Sequence, residues 1–272
     1  MEQVTGQLWI LMTMIRIIAG PCQHETLFKS LDIAEHCQEI CDKYEVEYIF
    51  KASYDKANRT SLEGERGLGL HKTVSDFLQM KDSLDVKILT DVHAVEEIHF
   101  VHDIVDVLQI PAFLCRQTDL ITKACETDCI VNIKKGQFLA PWDVEGILSK
   151  TEQAKEVWIT ERGTSFGYGR LVNDFTGMQY LLDRLGERFV YDVTHSVQLP
   201  GGKGSSSDGN REYVPGLCRA GSALGVSSFF LEVHPEPDNA PSDGPNMLKL
   251  EDFDEVVENI MEYNYAKHRD ND

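Results

Sequence analysis

The sequence predicts a closed (β/α)8 TIM barrel, and three observations carry that expectation. Eight short apolar runs rich in Val, Ile, Phe and Tyr recur along the chain, each followed by a longer stretch with apolar residues at helical spacing. Polar residues gather at the C-terminal ends of those runs, where barrels of this kind keep their chemistry. The chain has 272 residues, close to the roughly 250 typical of one such barrel, so a single domain over 1–272 is expected. An open doubly wound sheet shares the alternation, but the Gly-rich nucleotide fingerprint such sheets carry does not follow the first run, which leads into "IAGPCQHE", Ile18 to Glu25.

In chain order, the expected strands are Met14–Ala19, Glu47–Ser53, Val86–Val92, Val105–Pro111, Ile130–Gly136, Glu156–Arg162, Arg188–His195 and Ser227–His234. The expected helices are Thr26–Tyr44, Leu70–Ser83, Val95–Ile104, Asp119–Thr127, Val144–Ala154, Asp174–Leu185 and Glu212–Leu224. A last one runs from Leu250 to about His268, with Phe253, Val256, Val257, Ile260 and Met261 on one apolar stripe. Before the first strand, "LWILMTMIRIIAG" is apolar, but Arg16 interrupts it and it falls short of the roughly 20 residues of a membrane span. It reads as a short N-terminal strand or hairpin extension, without the basic region of a secretory signal.

Composition narrows the function. At 42% hydrophobic and 26% charged, the chain is an ordinary globular one. A net charge of -19 repels nucleic acid and anionic membrane, so an anionic ligand needs a local positive pocket. Seven cysteines, an odd number scattered through the chain, argue against a disulfide framework and for a reducing cytoplasm. Cys37, Cys41, Cys125 and Cys218 read as small core residues.

The strand ends carry Lys51, Asp91, Gln109, Lys134, Arg162, His195 and Glu232. In the fifth strand Val131, Ile133 and Lys135 share one face and Asn132 and Lys134 the other, which aims Lys134 into the barrel mouth and leaves Lys135 at the rim. Lys51, Lys134 and Arg162 together suggest an anion site. The loop "SYDKANRTS" adds a second basic group with Lys56, Asn58, Arg59 and Thr60. Two basic clusters point to two anionic substrates, or to one ligand with two separated anions.

In a closed barrel the first, seventh and eighth strands are neighbours, which brings Cys22, His195 and Glu232 together, and Asp243 in "APSDGPN" reaches the same place. Such donors suit a divalent metal ion, Zn, Fe(II), Co or Mn. Cys22 as a buried free thiol remains an equal reading here. His93 follows Asp91 at a strand end and is a further functional candidate; His36, His71, His99, His102 and His268 read as surface or packing residues. His234 sits where it could orient a ligand. "LPGGKGSSSDGN", Leu199 to Asn210, is either a lid or a plain connection.

The motifs "AGPC", "FKASYDKANRTS", "LTDVH", "QIPAFLCRQTDL", "VNIKKGQFLAPW", "TERGTSFGYGRLV", "YDVTHSVQLPGG" and "LEVHPEPDNAPSDGP" together resemble the 3-deoxy-D-manno-octulosonate 8-phosphate synthase family over nearly the whole chain. The resemblance implies condensation of phosphoenolpyruvate with D-arabinose 5-phosphate, serving lipopolysaccharide synthesis. It implies phosphoenolpyruvate on Lys51, Lys134 and Arg162, Lys56 between the substrates, and the sugar phosphate on Asn58, Arg59 and Thr60. Asp91 and Gln109 join the substrate site. Arg116 is implied to reach a neighbouring subunit in a homotetramer. Lys56, Asn58, His195 and Cys22 are placed at the reacting centre, and a cysteine at position 22 implies the metal-dependent class, with Cys22, His195, Glu232 and Asp243 as ligands. The rival is the sister 3-deoxy-D-arabino-heptulosonate 7-phosphate synthase, which uses erythrose 4-phosphate. "KANRT" argues against it, because Asn58 offers a partner to the extra hydroxyl of a five-carbon sugar. A non-catalytic sugar-phosphate-binding barrel is the other alternative.

Overall fold

The structure is a computed structural model that describes residues 14–57, 62, 64–202 and 208–269. Among these, eight parallel strands close into a ring: β1 Arg16–Gly20, β2 Glu47–Lys51, β3 Lys87–Asp91, β4 Val107–Ile110, β5 Ile130–Lys134, β6 Val157–Glu161, β7 Phe189–Asp192 and β8 Ser228–His234. Closure is made by β8 against β1, in a register that runs from Arg16 beside Ser228 to Gly20 beside Glu232. The open-sheet alternative is thereby excluded. The expected extension before residue 14 lies outside the described residues.

Around the ring stand α1 Leu27–Lys43, α2 Leu70–Leu84, α3 Val95–Val101, α4 Thr118–Cys125, α5 Val144–Leu148, α6 Phe175–Leu185, α7 Val214–Leu224 and α8 Phe253–Arg269. Helix α1 starts where the Thr26 hydroxyl accepts from the Lys29 amide, and it buries Ile33, Ala34, Cys37, Ile40 and Cys41 along one stripe. The fifth helix is shorter than its apolar spacing suggests. Beyond Leu148 the hydroxyls of Ser149 and Thr151 donate to the carbonyls of Gly146 and Leu148, taking over the bonds a further helical turn would use. Helix α7 starts at Val214 rather than Glu212, with Pro215 in its first turn where no amide hydrogen is needed.

Two apolar bodies make the core. Outward-facing strand residues such as Ile17, Phe50, Ile88, Leu108, Ile133, Ile159 and Phe229 pack against the helices. Inside the ring Ile18, Ile49, Leu89, Val107, Trp158, Val190 and Phe230 form a closed plug. Side chains alternate across a strand, so the inward residues two positions further along stand one layer above that plug. They are Gly20, Lys51, Asp91, Gln109, Thr160, Asp192 and Glu232, and every one is buried. The plug floors a polar chamber.

Lys135 is a correction to the rim expectation. It is fully buried, ion-paired to Glu161 at 3.3 Å and bonded to the Leu139 carbonyl at 3.0 Å. Its outward face meets the packed loop after β5, not solvent. All seven cysteines are free and buried, as expected for Cys37, Cys41, Cys125 and Cys218. Among the described residues no helix is long and apolar enough to cross a membrane.

Candidate active site

The first donor depends on a glycine. A Cβ on Gly20 would stand 2.2 Å from the Lys51 carbonyl oxygen, so only glycine lets the end of β1 run this close to β2. The chain continues through Pro21 to Cys22, whose carbonyl accepts from Lys51 Nζ at 2.9 Å. Cys22 Sγ is 3.1 Å from Asp243 Oδ2. One ligand atom from each of Cys22, Glu232 and Asp243 lies within 4.8 Å of the others, a group suited to a metal ion. Asp243 sits in left-handed backbone with φ 53°, a conformation that aspartate tolerates better than most residues.

His195 follows β7 on a one-turn helix, Val193–Ser196, rather than ending the strand itself. Asp192 caps that turn through the His195 amide at 2.9 Å and also bonds Nδ1 at 2.8 Å. This leaves Nε2 toward Glu232, 4.0 Å from Oε1. Orientation of a ligand histidine by a carboxylate on its far nitrogen is common in metal sites.

The site fits a divalent cation on its own chemistry. Glu232 Oε2 is buried without a hydrogen-bond partner, and an unsatisfied carboxylate oxygen is costly unless something cationic completes it. Burial, with Glu232 beside it, pushes the Cys22 thiol well above the usual thiol range; such a thiol becomes a ligand by giving its proton up to a metal. Burial opposes the charge on Glu232, but Lys51 and His195 outweigh it and hold its pKa below the usual carboxylate range.

The expected cations converge on the same chamber. Lys51 Nζ lies 2.7 Å from Glu232 Oε1. Lys134 Nζ lies 2.5 Å from Asp192 Oδ2 and over the face of Phe230, 3.1 Å from the ring centroid. Burial pushes the Lys134 pKa down to about 8, against the pull of Asp192. Arg162 is buried, donates to Gln198 Oε1 at 2.8 Å, and keeps a buried Nε without a partner. Lys56 donates to Ser53 Oγ at 2.7 Å; burial opposes its charge, but the carboxylates of Asp91, Glu232 and Asp243 around it raise its pKa.

Asp91 and Gln109 are paired across β3 and β4. Gln109 accepts from Asn132 at 3.1 Å. Asp91 takes His93 Nε2 at 3.0 Å, while its Oδ1 stays buried and unpartnered. His93 is the functional candidate beside it: burial opposes its charge, but the hydrogen bond to Asp91 and the Glu97 carboxylate 3.6 Å from Nδ1 lift its pKa to about 9. His234 bonds Glu25 at 3.0 Å and accepts from the Glu236 amide at 3.0 Å, so these ring bonds go to none of the expected ligands.

Asn58, Arg59 and Thr60 lie outside the described residues. Arg116 is exposed in the turn after β4 and is not brought to this chain's chamber. Of the suspected lid, Gln198–Leu199 pairs antiparallel with Asp208–Gly209, and 203–207 lie outside the described residues. Gln198 Nε2 also bonds Asp243 Oδ1 at 2.9 Å, tying the ribbon to the donor cluster. Asp192 and Gln198 were not among the expected site residues. Strand parity would have found Asp192, which shares the inward face with Val190; nothing in the sequence marks Gln198.

The sequence pattern of the DAHP synthetase I family matches residues 13–267. A 2-dehydro-3-deoxyphosphooctonate aldolase of Rhodopseudomonas palustris is 49% identical over 258 residues, 94% of this chain and 90% of its own length. Proteins of the same name from Bartonella tribocorum and Bartonella quintana are 49% and 48% identical, covering 92% and 95% of this chain and 90% and 94% of their own.

Proposed function

This chain belongs to the DAHP synthetase I family, and we propose that within it the protein is an enzyme joining phosphoenolpyruvate to D-arabinose 5-phosphate. The products are 3-deoxy-D-manno-octulosonate 8-phosphate and inorganic phosphate. The relatives' name describes the same carbon–carbon bond read in the cleavage direction. The observation that carries the reading is the chamber itself: buried Lys51, Lys134 and Arg162 above the apolar plug, in the same chamber as Cys22, Glu232 and Asp243.

Lys51, Lys134 and Arg162 bind the carboxylate and phosphate of phosphoenolpyruvate, where buried cations act in low dielectric and water is excluded. Lys56 stands between the substrates, with Asn58, Arg59 and Thr60 on the sugar phosphate and Asp91 and Gln109 toward sugar hydroxyls. Cys22, His195, Glu232 and Asp243 hold a divalent ion, Zn, Fe(II), Mn or Co. That ion supplies Lewis acidity and fixed positive charge when bound. The enol carbon bonds to the aldehyde carbon, whose oxygen takes up a proton; water adds at the neighbouring carbon and the phosphate leaves with its bridging oxygen. Lys56 and Asn58 act at the reacting carbonyl.

The whole chain serves as one catalytic domain in a cytoplasmic homotetramer, with exposed Arg116 free to serve a neighbour. Its product feeds the acidic sugar of lipopolysaccharide.

Phosphate release with each aldose phosphate tests this reading. Arabinose 5-phosphate should exceed erythrose 4-phosphate by at least about 100-fold in kcat/KM, because a site built to bond a hydroxyl rejects the analogue lacking it. Faster turnover of erythrose 4-phosphate would assign the chain to the sister reaction, and turnover of neither to a binding protein.

A second expectation concerns pH. With its pKa lowered to about 8, Lys134 is cationic below that pH and neutral above it, so kcat/KM for phosphoenolpyruvate should fall about tenfold per pH unit above 8. Stability should move the other way. The unfolded lysine keeps its proton up to 10.5, so the folded state gains between pH 8 and 10.5. A flat kcat/KM profile to pH 10 would show that Lys134 keeps its charge or does not hold the substrate.

A further inference from the structure

We infer that His24, two residues past Cys22, is a positioning residue that holds the cysteine in the cation site by keying the first βα loop to helices α1 and α2. This rests on the reading of Cys22 as a metal ligand.

His24 is completely buried, and its ring partners lie on the helical side of the loop. Nε2 is 3.0 Å from Asp76 Oδ2 on α2, and Nδ1 is 2.8 Å from Ser30 Oγ on α1. Phe77 meets the ring edge-on at 5.6 Å between centroids. Asp76 also pairs with Lys72, and as an ionised carboxylate it can only accept. The imidazole must therefore donate from Nε2, leaving Nδ1 to accept the Ser30 hydroxyl proton. Burial, the larger influence, lowers the His24 pKa against the pull of Asp76 and favours this neutral form. Both ring nitrogens are occupied, so the ring cannot turn without stranding a buried polar atom.

Serine, histidine and aspartate in this order resemble a hydrolase relay. Here Ser30 is 1% exposed and His24 and Asp76 are 0% exposed, so no substrate reaches them and the trio serves position instead.

The backbone shows what is positioned. The His24 amide donates to the Ser53 carbonyl at 2.9 Å, and the Ser53 amide to the Cys22 carbonyl at 3.3 Å. Residues 22–24 thus run as a strap along the exit of β2. On the other side the His24 ring holds the strap to two helices. Between these attachments Cys22 Sγ keeps its place beside Asp243. Without the ring, the strap loses this attachment to the two helices and keeps its bonds along the exit of β2.

Co(II) titration of the purified full-length protein tests the inference, read by the thiolate-to-cobalt charge-transfer band and the dissociation constant. His24→Ala and Asp76→Asn should each weaken Co(II) binding about tenfold, as groups behind metal ligands do, with a diminished band. His24→Gln, which keeps a donor toward Asp76, should recover most of the affinity. KM for phosphoenolpyruvate, measured at saturating metal, should stay at the wild-type value. Thermal melts identify any variant that fails to fold, and Ser30→Ala then serves as the gentler probe, with the same direction expected. Unchanged affinity and band in folded His24→Ala or Ser30→Ala protein overturns the inference. A wild-type protein without a thiolate band overturns the metal reading beneath it, and the inference with it.

Discussion

Dipicolinate is expected to abolish turnover of the purified protein, and added divalent cation to restore it. The chamber places a thiol and two carboxylates around one point, with the His195 imidazole 4.0 Å from Glu232 Oε1 and Glu232 Oε2 buried and unpartnered. Such a group is poorly satisfied by the protein alone. In elemental analysis Cys22→Ala should lose most of the bound metal, about one ion per chain in the wild type. The same substitution should leave the fold intact, because it removes a single sulfur from a wall still held by the Cys22 carbonyl's bonds to Lys51 and Ser53. Full activity in metal-free wild-type protein would show that these donors do not serve catalysis. Unchanged metal content in Cys22→Ala would return the cysteine to the role of a packed thiol.

Lys134→Met should lower kcat/KM for phosphoenolpyruvate by about 100- to 1,000-fold, the scale of removing one preorganised charge from a water-excluded site. Methionine keeps much of the length and apolar stem, while the ammonium and its contact with the face of Phe230 are lost. The substitution also strands Asp192, which is fully buried and whose Oδ2 accepts from both Lys134 and His195. Loss of one partner of a buried pair costs about 3–5 kcal/mol. The double variant Lys134→Met/Asp192→Asn separates the two effects: it should regain stability yet stay as inactive as Lys134→Met. Recovery of activity together with stability would mean that Lys134 acts only by neutralising Asp192.

The alternation of apolar runs made the barrel legible, and strand parity in β5 correctly turned Lys134 inward with Asn132. The same parity turned Lys135 outward, also correctly. What parity does not contain is the loop packed over that outer face, where Glu161 and the Leu139 carbonyl receive the ammonium. His195 shows a similar limit. Its place near the end of the seventh strand was readable, but the one-turn helix and the Asp192 cap that aim its ring depend on how the chain leaves the barrel.

By itself the sequence determined the repeating unit, the end of the barrel where buried charged residues gather, and the residue types found there, because these follow from local periodicity and strand-end position. Tertiary structure alone decided which of those residues touch. Cys22 and Asp243 are separated by 221 residues yet stand 3.1 Å apart, and the pairing of β8 with β1 is what removes that separation. Ring closure is a long-range event with no local signature, so the donor set, the seating of His24 between two helices and the Gln198 tie to Asp243 become visible only when the barrel is complete.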